Sequence, residues 1–85
     1  MAERSFEFQP RWKEELVVTR DGRSLVLELP MVVLTAYLPT EAEWRQRAPG
    51  WAIALWPVLK TELSAWCAEN RAELVIDPSA DFYPA

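Results

Sequence analysis

The residues able to do chemistry in this 85-residue chain are few, and their scarcity is informative. There is no histidine, the side chain that most often serves as a general base near neutral pH. Cys67 is the only cysteine. It can form neither a disulfide framework nor, without cysteine or histidine companions, a structural zinc site. As a nucleophile it would need an activating base, and its place on the apolar stripe of an expected helix reads instead as an inert core thiol. Acid–base work would fall to paired carboxylates, and no spacing singles out a pair. Glu62 and Glu69 share one side of the same expected helix, a solvated face. The run Asp77-Pro78-Ser79-Ala80-Asp81 sets oxygens at alternate positions, as at the opening of a calcium loop. It lacks that loop's turn glycine and closing glutamate, so an Asx turn after a strand is the expected reading. These absences predict a protein that is not an enzyme and carries no cofactor or metal.

What the chain has in quantity is aromatic surface: five tryptophans, three phenylalanines and two tyrosines. Trp44, Trp51, Trp56 and Trp66 fall in one stretch punctuated by Pro49, Gly50 and Pro57. Small domains bury a modest share of their surface and use large rings to fill thin cores. Trp and Tyr are also the usual anchors of interfaces. The net charge is −4, from thirteen acidic and nine basic residues scattered along the chain. That distribution has no basic stripe for nucleic acid. It suits solubility, or a basic surface on a partner protein. Arg20 and Arg23 flank Asp21-Gly22, where they would either grip an acidic group on a partner or keep a loop soluble.

The start of the chain has no apolar signal core. The longest apolar run, Trp51 to Leu59, is nine residues with Pro57 inside it, against about 20 needed to span a bilayer. A cytoplasmic protein is expected, and a lone reduced thiol fits that compartment.

The elements that would position these residues make one α+β domain over 1–85. Residues 1–13, interrupted by Pro10, read as a loosely ordered arm, although Phe6, Phe8 and Trp12 would suit a sheet face. Asp21-Gly22 between β-rich runs marks a hairpin. A two-residue loop sets Val18 opposite Leu25 and Leu16 opposite Leu27, with Leu29 on the same face. A three-residue loop with a Gly22 bulge would flip one strand's faces relative to the other. The first register gives the cleaner apolar face and places Glu15 opposite Glu28. After Pro30, the apolar run Met31–Leu38 reads as a strand covered on both faces. Thr40 and Glu43 form a capping box for a short helix that ends near Arg47, ahead of Pro49.

A longer helix is expected from about Trp51 to Asn70, with Ala52, Leu55, Trp56, Leu59, Leu63, Trp66 and Cys67 in one stripe. Pro57 either kinks it or opens a second helix. Glu73–Asp77 reads as a final strand, joined in parallel by the helical crossover. The expected architecture is therefore a small single-layer mixed sheet packed on one short and one longer amphipathic helix, with 79–85 as a tail.

Trp51 and Val58 fall off the helix stripe, and Trp44 is unassigned. Phe82 and Tyr83 lie in the tail. These five form the candidate partner-binding set. The reading they support is a non-catalytic protein–protein interaction module of inhibitor, immunity or adaptor type, docking to a protein partner or to itself as a homodimer. The alternative is a small-ligand binder or enzyme subunit whose pocket near Trp51 and Trp44 is completed by oligomerisation. Direct nucleic-acid and membrane binding are not expected. Two substitutions separate core from surface. Trp66→Ala should cost about 3–5 kcal/mol, and Trp51→Ala should stay within about 1 kcal/mol, both read from denaturation midpoints.

Overall fold

The computed structural model describes residues 5–84. Its strands are β1 (Glu7–Arg11), β2 (Glu15–Arg20), β3 (Arg23–Glu28), β4 (Thr35–Leu38), β5 (Glu73–Ile76) and β6 (Phe82–Pro84). Its helices are α1 (Glu41–Arg47) and α2 (Trp56–Glu69), the latter entered through a 3-10 turn at Ile53–Leu55. The α+β class is as expected. The strands divide into two sheets rather than one: an antiparallel sheet in the order β1-β2-β3-β6, and a parallel pair β4-β5. The division falls at Pro30 and the turn after it, which carry the chain off β3 before β4 begins.

The β2–β3 hairpin takes the two-residue register, with Leu16 opposite Leu27 and Val18 opposite Leu25. Asp21 (φ 51°) and Gly22 (φ 76°) both have positive φ, the signature of the turn whose twist matches a hairpin. Glu15 does stand opposite Glu28, and each carboxylate has its own partner. Glu15 accepts from the Tyr83 hydroxyl and faces Arg11 at 3.8 Å. Glu28 accepts from the Asp81 amide at 2.9 Å. Alternation along the strands puts Phe8, Leu16, Val18, Leu25, Leu27 and Phe82 on the inner face. The other face carries Gln9, Val17, Val26 and Tyr83 in one row.

Three further expectations need correction. The N-terminal arm is β1, paired along its length with β2. Pro10 is tolerated because β1 is an edge strand, where a missing amide donor costs no ladder bond. The expected strand Met31–Leu38 is a strand only from Thr35. Met31–Leu34 is a turn, closed by Thr35 N donating to Pro30 O (3.1 Å) and Thr35 Oγ1 donating to Val33 O (2.8 Å). Val32 and Val33 are exposed there, so an apolar run did not mean a buried strand. The tail contains β6, which pairs with β3.

The helices follow local chemistry closely. Thr40 Oγ1 accepts from Glu43 N at 3.3 Å, and Glu41 pairs with Arg45 one turn on. α1 stops where Ala48 turns extended, as the residue before Pro49 must. Pro57 lies in the first turn of α2, so the second of the two readings of that proline holds: it opens a helix. Leu59, Leu63, Trp66 and Cys67 are buried on α2, while Leu55 and Trp56 are half-buried. Asn70 caps the helix. Arg71 (φ 56°) follows in the left-handed region. Ala72 N then reaches back to Cys67 O at 2.8 Å, which completes a Schellman closure. From there β5 pairs in parallel with β4, as the crossover requires. The core lies between the inner face of the antiparallel sheet, the β4-β5 pair and α2.

Candidate functional site

The structure scatters the five candidate partner-binding residues. Trp44 is 0% exposed. Its Nε1 donates to Ala52 O at 2.8 Å, and its ring stacks on Phe82 with centroids 4.7 Å apart. Phe82 is buried too, and Arg47 covers it, with the guanidinium carbon 4.8 Å from the ring centroid. Arg47 also donates to Ala80 O (3.2 Å) and pairs with Asp81 (3.5 Å). Trp44 and Phe82 are therefore removed from the candidate surface, because each is the other's cover. Read separately as a short helix and a tail, they gave no sign that β6 joins them.

Trp51, Val58 and Tyr83 keep surface but do not converge. Trp51 is half-buried against the core, with the Arg23 guanidinium 6.0 Å from its ring centroid. Val58 is exposed and lines a shallow open groove of about 310 Å3 with Pro57, Thr61 and Glu62. Tyr83 is half-exposed on the outer sheet face, its hydroxyl bonded to Glu15. Arg20 and Arg23 sit opposite one another at the hairpin tip, over the Phe6 and Trp51 rings respectively. Lys60 likewise lies over Trp56, whose Nε1 donates to Pro39 O. Cations thus shield several of the rings.

The acidic groups have structural partners. Glu62 accepts from Ser5 N (2.9 Å) and Phe6 N (2.8 Å), which ties the start of β1 to α2. Asp77 Oδ1 accepts from Ser79 N (2.9 Å) and Ser79 Oγ (2.8 Å), the expected Asx turn. Those bonds hold its carboxyl below its usual range. Asp81 faces Arg47 instead, so the two carboxylates of that run point to different partners. Among the described residues there is no group of three or more His, Cys, Asp or Glu placed to hold a metal.

The most exposed apolar side chains were missed in the sequence. Trp12 is 83% exposed, Val32 97% and Val33 65%. Glu14 brings their two loops together. It takes a positive φ of 64°, accepts from Leu29 N at its carbonyl (2.9 Å) and from Met31 N at its carboxylate (3.2 Å). The β1–β2 turn, which carries Trp12, is thereby latched to the start of the loop that carries Val32 and Val33. The available signal was Arg11-Trp12-Lys13, an aromatic between two cations just after the edge-strand proline.

Comparison with protein-family models, with curated proteins and with solved structures finds no match to this chain. No helix among the described residues is long and apolar enough to cross a membrane.

Cys67 is buried, and burial pushes its thiol up. The unfolded chain therefore ionises first as pH rises. This contribution to stability is full below the ordinary thiol range and falls through the alkaline range. Cys67→Ala should flatten that part of the stability–pH curve. In the native protein the thiol should react with a thiol reagent only as fast as the chain opens.

Proposed function

We propose that the protein is a non-catalytic interaction module that docks onto another protein through the loop end bearing Trp12, Val32 and Val33. The observation that carries this is the exposure of Trp12. In a chain that buries or half-buries its other four tryptophans, one indole stands almost wholly in solvent, in a turn that Glu14 ties to the loop carrying two exposed valines. An exposed Trp flanked by charged residues is the composition in which interface hot spots are commonly found. Arg11, Lys13 and Glu14 are the charged neighbours here.

The latch through Glu14 supports the same reading. It holds the two loops in one arrangement before any partner arrives, which lowers the ordering cost of binding. The net charge of −4 suits a basic partner surface at longer range. Inhibitor, immunity and adaptor roles are of this kind. The ligand-pocket alternative has weaker support, since the shallow groove's one carboxylate, Glu62, already accepts two backbone amides.

The test is capture from the native source with the wild-type chain and with Trp12→Ser/Val32→Ser. The variant should keep its denaturation midpoint within about 0.5 kcal/mol, as exposed substitutions do, and should lose the captured protein. A wild-type chain that captures nothing, or a variant that captures as well as wild type, contradicts the proposal.

A further inference from the structure

The β4-β5 pair is an unfinished sheet. Parallel strands are ordinarily found inside larger covered sheets, whereas here β5 has one neighbour, β4. Glu73 N donates to Leu34 O (2.9 Å) and Asp77 N donates to Leu38 O (3.0 Å). With the register Ala36 opposite Leu74 and Leu38 opposite Ile76, odd-numbered residues of β5 bond to β4. The amides and carbonyls of Leu74 and Ile76 therefore point away from it. Among the described residues nothing pairs with that edge.

Natural edges are commonly protected by lysine, proline or a bulge. β5 is short and begins with a charge, but within Glu-Leu-Val-Ile it has no lysine, proline or bulge to block an added strand, and Ile76 is 37% exposed. The geometry points to a second copy of this chain as the occupant, adding its own β5 antiparallel about a twofold axis to make a four-stranded sheet β4-β5-β5-β4. This inference is independent of the Trp12 end.

Register and charge select the arrangement. The hydrogen-bonded pairs across the axis must join outward-pointing residues, which leaves three registers. Ile76 opposite its own mate sets Pro78 against Leu74, where proline has no amide to donate. Leu74 opposite Ile76 sets Glu73 against Asp77 twice, and like charges directly opposite repel. Leu74 opposite its own mate has neither fault. It sets Glu73 beside Val75 and lets Ile76 N–H reach the outward carbonyl of Ala72. Arg71, in the left-handed turn just ahead of the strand, comes within side-chain reach of Asp77 of the second copy on both sides. Arg71 is exposed and, among the described residues, has no ion pair of its own. The edge is therefore complementary to itself in one register, as a twofold interface requires.

Sedimentation of the full chain over rising concentration tests this. The wild type should shift from monomer towards twice its mass. Ile76→Pro removes an amide that β4 does not use, and should leave a folded monomer. Arg71→Glu replaces a cation near Asp77 of the second copy by a like charge at both ends and should weaken the dimer roughly tenfold. Trp12→Ser should leave the dimer intact. A wild-type chain that stays monomeric up to about 1 mM overturns the proposal. So does a dimer that tolerates both β5 variants. A dimer lost only with Trp12→Ser also overturns it, and would move self-association to the loop end while leaving the proposed function standing.

Discussion

The indole of Trp44 is the joint on which the rest of the fold depends. It is the largest fully buried side chain, and three parts of the chain meet on it. Its backbone belongs to α1. Its Nε1 proton fixes the carbonyl of Ala52, at the entrance to α2. Its ring stacks on Phe82 and so holds β6 beside β3. A stacked aromatic pair contributes about 0.5–1.5 kcal/mol beyond the area it buries. The buried indole donor would cost about 1–3 kcal/mol if left without an acceptor. In a chain of 85 residues without a disulfide to brace it, a joint of this kind stands in for the cross-links that small domains otherwise need.

The same economy explains the other rings. Trp66 sits over Phe8 with centroids 6.1 Å apart, joining α2 to the edge strand. Trp56 ties α2 to Pro39 ahead of α1. Arg20, Arg23, Arg47 and Lys60 lie over Phe6, Trp51, Phe82 and Trp56, so the margins of the core end in cations rather than bare aromatic surface. Aromatic richness is here mostly a means of connecting short elements. The two places at which docking is proposed lie outside these joints: the latched loops carrying Trp12, Val32 and Val33, and the open edge of β5.

Features encoded by neighbouring residues were legible in the sequence. Asp21-Gly22 marked the hairpin, and the cleaner apolar face of Leu16, Val18, Leu25 and Leu27 chose between its two registers. Thr40 and Pro49 set the two ends of α1, and the spacing between two β-rich runs implied the parallel crossover. Features that depend on partners distant in sequence were not. β1 looked unpaired because Pro10 counts against a strand until the strand is known to lie at an edge. β6 is three residues long and exists because Phe82 finds Trp44. Val32 and Val33 looked buried because composition does not reveal that the bonds around Thr35 close a turn. The candidate site follows the same rule: Trp44 and Phe82 cover each other from distant parts of the sequence, and Trp12 lies in the turn that exists because β1 pairs with β2.

The central claim is that the tryptophans divide into rings that join the fold and one ring left in solvent. It is tested most directly by hydrogen exchange at the five indole N–H groups, followed by NMR. The Trp44 proton, buried and bonded, should exchange slowest and only through unfolding of the whole domain, while the Trp12 proton should exchange at the rate of a free indole. Fast exchange at Trp44, or protection of Trp12 in the isolated monomer, would contradict the account.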